Sequence, residues 1–150
     1  STFLGTVHRE ALLVAAIFDG LDRIARFLIE EGVSPYWHDR AAIRQAIRRN
    51  DATLALWIID HTAASASRED LTKALEGAIR RRKIAVAERL IAKGADIAAA
   101  CRCGQISFLR VHADMLRSLK AAGATLPEDA DALLASGEAL GDRKVAAPVP

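Results

Sequence analysis

Few residues in this chain have side chains suited to covalent or metal chemistry. Cys101 and Cys103 are the only cysteines, and His112 is the nearest histidine to them. Three soft ligands fall short of the four well-spaced ones that a structural zinc site uses, so two ordinary thiols are expected there and no metal. A disulfide between positions i and i+2 would close almost no loop and would be strained. The cysteines therefore point to a reducing compartment rather than to a disulfide framework. His8, His38, His61 and His112 are spread along the chain, and no glycine-rich phosphate loop, H-E-x-x-H helix or G-x-S-x-G turn occurs. A nucleophile, a base and an orienting acid cannot be assembled from this sequence. The expectation is a protein that is not an enzyme and needs no cofactor.

Arginine is the residue with a pattern. Arg48 and Arg49, Arg80 and Arg81 (extended by Arg82), and Arg110 recur along the chain. A guanidinium pairs with carboxylate or phosphate through two parallel hydrogen bonds, which suits it to recognition. The segment Pro35-Tyr36-Trp37-His38 concentrates the only tyrosine and one of the two tryptophans. Aromatic residues in such a loop either tuck over a helix end or stand exposed as binding anchors.

These residues must be held by helices. Of the 150 residues 51% are apolar, only 5% are aromatic, and 31 are alanine, the best helix former. That composition excludes a highly charged disordered polymer and implies closely spaced helices. The formal net charge of +2 is too small to signal nucleic acid or a membrane surface by itself. No secretory signal is visible at the start, and the longest apolar run, Ala11 to Phe18, is far short of the roughly 20 residues that cross a bilayer. A cytoplasmic location is expected.

One apolar pattern recurs four times. Ile24, Ala25, Leu28, Ile29 and Gly32 align with Val86, Ala87, Leu90, Ile91 and Gly94. Leu54, Ala55, Ile58 and Ile59 fill the same columns with Thr62 in place of the glycine, and Met115, Leu116, Leu119, Lys120 and Gly123 make a fourth copy. Each copy has an upstream partner: Leu13, Ala16 and Ile17, then Ile43, Ala46 and Ile47, then Leu75, Ala78 and Ile79, and more weakly Gly104, Ser107 and Phe108. The i, i+3, i+4 spacing places each trio on one helical face. Each unit therefore reads as a helix, a tight turn, a second helix and a loop.

Gly20 and Asn50 suit left-handed turns, whereas Arg82-Lys83 and Val111-His112 are poor turn residues. Gly32, Gly94 and Gly123 are placed to end helices in the left-handed conformation. Ser67, with Glu69 and Asp70, marks one helix start, and Pro127, with Glu128 and Asp129, marks another. The first helix is expected from about Thr6 or Val7, with His8, Arg9 and Glu10 as a polar outer side. Leu133 and Leu134 are expected to cover the last unit. Trp57 shares a column with Phe27 and is expected to pack in the core. Arg44 and Glu76 fall in equivalent columns of adjacent units and are expected to pair.

With these columns in place, the chain resembles the ankyrin-repeat family over about residues 6 to 125. Leu90-Ile91-Ala92-Lys93-Gly94-Ala95-Asp96 is similar to that family's L-L-x-x-G-A-D segment, and the stretches at 28–34 and 119–125 are looser versions. The family's T-P-L-H turn is absent, and the spacings of 30, 32 and 29 residues are shorter than the usual 33, so the β-finger is expected to be reduced or missing. The resemblance implies an all-α, ankyrin-like α-solenoid within a single domain at 1–136. Its parts are repeats at about 6–34, 35–64, 67–96 and 101–125 and a capping helix at 127–136, followed by a flexible tail at 137–150.

The same resemblance implies a protein-protein interaction module, with the first helix of each pair lining a concave face. The two positions after its last core residue would then point at a partner. Those positions are Phe18 and Asp19, Arg48 and Arg49, Arg80 and Arg81, and Leu109 and Arg110, and they imply an arginine-bearing groove for an acidic segment. Tyr36 and Trp37 join them as candidate contacts. A plainer reading is that these arginines are solvated helix ends, where cations are favoured by the helix dipole. A nucleic-acid-binding repeat protein and the targeting arm of a larger enzyme or effector are rival readings of the same pattern.

Overall fold

The structure is a computed structural model that describes residues 2–102 and 111–136. The described residues form helices and turns without a strand: α1 (Thr2–Phe18), α2 (Asp22–Glu30), α3 (Trp37–Arg48), α4 (Thr53–Thr62), α5 (Arg68–Arg80), α6 (Ile84–Ala92), α7 (Ile97–Arg102), α8 (Ala113–Ala121) and α9 (Glu128–Ser136). The first helix thus starts at Thr2 and not near Thr6. The proposed tail, and Gly104, Ser107 and Phe108 of the fourth unit, lie outside the described residues.

Glycine stops four of these helices. Gly20, Gly32, Gly94 and Gly123 have φ between 78° and 108°. At each, two backbone bonds close the helix end, as where Gly32 N–H donates to Ile29 O and Val33 N–H to Leu28 O, both at 3.0 Å. The turn between α5 and α6 has the same two bonds with Arg82 in the glycine's place, at φ 59°. Asn50 is not left-handed. Its turn is made by Arg49 in an extended conformation, and the Asp51 carboxylate then accepts hydrogen bonds from the Thr53 N–H at 2.9 Å and from the Thr53 hydroxyl at 2.6 Å. Ser67 caps α5 by accepting the Asp70 N–H at 3.0 Å.

The helices lie in two rows. In one row α3 packs on α1 and α5, and α7 packs on α5; in the other α4 packs on α2 and α6, and α8 packs on α6. Within a unit α1 meets α2, α3 meets α4 and α5 meets α6. The columns legible in the sequence are the core between these rows: Leu13, Ile17, Ile43, Ile47, Leu75 and Ile79 from one, Leu54, Ile58, Leu90, Leu116 and Leu119 from the other. Ala25, Ala55 and Ala87 are each 0% exposed, so the crossing points are lined by methyl groups that let the backbones approach. At the end of the chain, Leu133 and Leu134 of α9 rest on the core as expected, and Lys120 Nζ binds Asp131 at 2.7 Å.

Three packing expectations are corrected. Phe27 is 60% exposed, and Trp57 packs against the core but is only partly buried, at its edge. There the Trp57 ring stacks on His61 at 3.9 Å, and the Arg26 guanidinium sits 5.3 Å from its centre. Arg44 and Glu76 do not pair. A left-handed turn at His38, Asp39 and Arg40, φ 53° to 60°, brings Asp39 within 3.0 Å of Arg44, while Lys73, one turn earlier on α5, takes Glu76 at 3.3 Å. Glu10, expected on a polar outer side, is buried, and its Oε2 has no hydrogen-bond partner among the described residues.

Burial raises the Glu10 pKa above its ordinary value, against the opposing effects of the Ser34 backbone and Arg9. A carboxyl whose folded pKa lies above its unfolded one costs stability once it ionises. Glu10→Gln should therefore raise the melting temperature at pH 7, and the gain should shrink to nothing as pH falls below about 4, followed by circular dichroism melts across pH. Ala87→Phe should lower stability by about 2 kcal/mol or more in urea titrations, because that crossing has no room for a ring.

Candidate functional site

The turn-side ends of α3 and α5 each finish in arginine, where the helix dipole favours a cation. Arg48 and Arg81 are exposed and form no ion pair among the described residues. Arg80 is exposed too, and its charge acts on His112. Arg49 turns away to the neighbouring unit, where its Nη1 binds Asp22 Oδ1 at 2.6 Å, a bond that holds its pKa above the ordinary arginine value. Arg82 binds Asp114 in the same manner. Asp22 and Asp114 each stand in the first turn of a second-row helix, so these two arginines tie adjacent hairpins together.

Between α3 and α5 lies a groove of about 360 Å³. Arg40, Arg44, Lys73, Arg80 and Arg81 line it against only two carboxylates, Asp39 and Glu76. Arg40 bonds Asp39 through Nη1 at 3.1 Å and Asp70 through Nε at 2.9 Å, and an Nη lies 3.7 Å from Glu69. Arg44 and Lys73 hold the two carboxylates of the groove. Its lining is therefore net positive, with Arg80 and Arg81 at the turn-side end and Arg48 beside them on α3. The floor is Ile47, Ala74 and Gly77. Gly77 sits inside α5, and a Cβ built on it would meet nothing within 4 Å. Glycine in a helix interior is worth about 1 kcal/mol less than alanine, and no contact among the described residues requires it here.

The remaining candidates separate by burial. Tyr36 is 8% exposed, its hydroxyl lies 2.8 Å from Thr62 Oγ1, and burial raises its pKa; it braces α4 and is withheld from the surface. Trp37 is 38% exposed, with its ring 5.1 Å from that of His38. Phe18, 73% exposed, and Asp19 end α1 without lining the groove. Arg110 and Leu109 lie outside the described residues, as does Cys103. Arg44, Lys73 and Gly77 were missed as groove residues in the sequence. The signal for them is helical spacing, since Arg44, Ile47 and Arg48 share one face of α3, and Lys73, Gly77, Arg80 and Arg81 one face of α5.

Cys101 is buried beside α9, and burial, reinforced by the Asp129 charge, pushes its pKa up to about 11. His112 is held below its ordinary pKa, first by burial and then by Arg80, so its imidazole is neutral at pH 7. Among the described residues no three His, Cys, Asp or Glu side chains converge in a way that could hold a metal ion, and no helix is long and apolar enough to cross a membrane. In a Cys103→Ser background, Cys101 should react with iodoacetamide at pH 7.5 about a hundredfold more slowly than an unhindered thiol and at the ordinary rate in denaturant. Equal rates in both conditions would show that the thiol is not shielded.

No protein-family model, no curated protein and no solved structure matches this chain.

Proposed function

We propose that this chain is a non-catalytic protein-protein interaction module, an ankyrin-like α-solenoid of about four hairpins closed by α9, which binds an acidic segment of a partner protein along the groove between α3 and α5. The observation that carries this is the groove itself: an excess of cationic groups above a floor whose glycine costs helix stability and leaves space that no described residue fills. A bare backbone at that point admits the main chain of an extended segment, while Arg48 and Arg81 meet its carboxylates through paired hydrogen bonds. Such charges set orientation and association rate as well as affinity. The two-row packing supports the solenoid, because the main helix contacts among the described residues run within a hairpin or between successive hairpins. The buried free thiol of Cys101 supports a reducing, cytoplasmic setting.

Nucleic acid is the less suited ligand. The net charge is only +2, and the residues lining the groove include no aromatic side chain on which a base could stack.

Replacing Arg48, Arg80 and Arg81 together with alanine should leave helicity and melting temperature nearly unchanged, since exposed charges contribute little to stability. The same replacement should weaken binding of a fluorescein-labelled Glu/Asp-rich peptide by about tenfold or more in anisotropy titrations. Arg49→Ala should instead lower stability and leave peptide affinity alone. Equal peptide affinity for the triple variant and the parent overturns the proposal. Tighter, steeply salt-dependent binding of duplex or single-stranded DNA than of the peptide assigns the groove to nucleic acid.

A further inference from the structure

Large exposed apolar side chains are concentrated at one end of the stack. Leu12 (51%), Phe18 (73%), Leu21 (48%), Ile24 (43%) and Phe27 (60%) all belong to the first hairpin; elsewhere among the described residues only Trp37 and Val111 are comparable. The repeat register explains what this face is. Leu12 stands in the column of Ala42 and Ala74, which are 2% and 1% exposed, and Ile24 in the column of Leu54 and Val86, each 1% exposed. In the later units these columns are sealed, and each later unit has a preceding hairpin packed on it. The first hairpin thus offers the surface that its successors bury, and it carries leucine where they carry alanine.

Charge identifies the occupant. On α2 the apolar stripe is flanked by Arg23 toward the N-terminus and by Glu30 and Glu31 at the other end. Arg23 and Glu31 are exposed, form no ion pair among the described residues, and stand four positions to either side of Phe27. A second copy of the same helix, laid antiparallel about a two-fold axis at Phe27, sets Arg23 of one copy opposite Glu31 of the other, twice. We infer that two copies of this chain associate back to back through their first hairpins, with Leu12, Ile24 and Phe27 buried and two Arg23–Glu31 pairs fixing the register. A two-fold contact uses one patch on both partners and closes on itself, so it gives a dimer and no fibre. The groove between α3 and α5 is not part of this contact, and neither proposal depends on the other.

Sedimentation equilibrium between about 1 and 200 μM tests it, the range in which a contact of this size shows reversible dimerisation. The expected result is a monomer–dimer equilibrium that Phe27→Glu weakens by about tenfold or more, with unchanged circular dichroism because Phe27 lies outside the core. Arg23→Glu should weaken the dimer by bringing like charges together, and adding Glu31→Arg should restore it to within about threefold of the parent. The Arg48, Arg80 and Arg81 triple alanine variant should dimerise like the parent. A chain that stays monomeric over the whole range overturns the inference and leaves the face to a hairpin from another protein. A dimer indifferent to Phe27→Glu, or not rescued by the charge exchange, overturns it as well.

Discussion

The close approach of helix backbones across alanine is the constraint on which the rest of this structure depends. Ala25, Ala55 and Ala87 are wholly buried at equivalent crossings, and Ala16, Ala46 and Ala78 do the same in the facing row. A hairpin of two short helices cannot seal its own apolar face, so each unit is completed by the next one. With so few aromatic residues, the core gains its stability from many small contacts at high density rather than from a few large side chains. That arrangement leaves the helix ends and the turn side unencumbered by core residues, and those are the places where the arginines collect.

The arginines divide the work by a single residue's shift. Arg48 and Arg81 stay with their helices or just past them and face solvent, whereas Arg49 and Arg82 reach across to carboxylates that begin helices of adjoining units. The basic groove and the cross-links that brace it are thus interleaved in the same short turns. The left-handed turn at His38, Asp39 and Arg40 serves the opposite end of the groove. It draws Asp39 onto Arg44 and directs Arg40 toward Asp70, which lowers the positive charge at one rim and concentrates it at the other.

The repeating apolar columns were legible in the sequence because helical periodicity and glycine stops act locally: the trios at 13–17, 43–47 and 75–79 are buried as their spacing requires. The Ser67 cap and the helix opening at Glu128 were legible for the same reason. What eluded the sequence was set by tertiary geometry. Arg49 and Asp22 are far apart in the chain and meet only once α3 lies on α1. Glu10 reads as a surface residue until the loop carrying Ser34 folds across it. Trp57 and Phe27 match a core column by type, yet Trp57 is covered only in part and Phe27 stays exposed. Gly77 is an ordinary helix-weakening residue in the sequence, and its place at the bottom of a cleft appears when α5 is set beside α3.

Arg82 has a consequence for how the molecule comes apart. The other helix ends with this bonding pattern carry glycine, which takes the left-handed angle without strain, but at this joint an ordinary side chain is forced into it at a cost of about 1 kcal/mol. Its compensation is a pairing with Asp114 that both partners make at the surface, where it is weak. The turn between α5 and α6 is therefore strained, and the pair that ties it to α8 is a weak one. α8 and α9 lie beyond that pair, at the end of the stack, so they can fray while the first three hairpins stay folded.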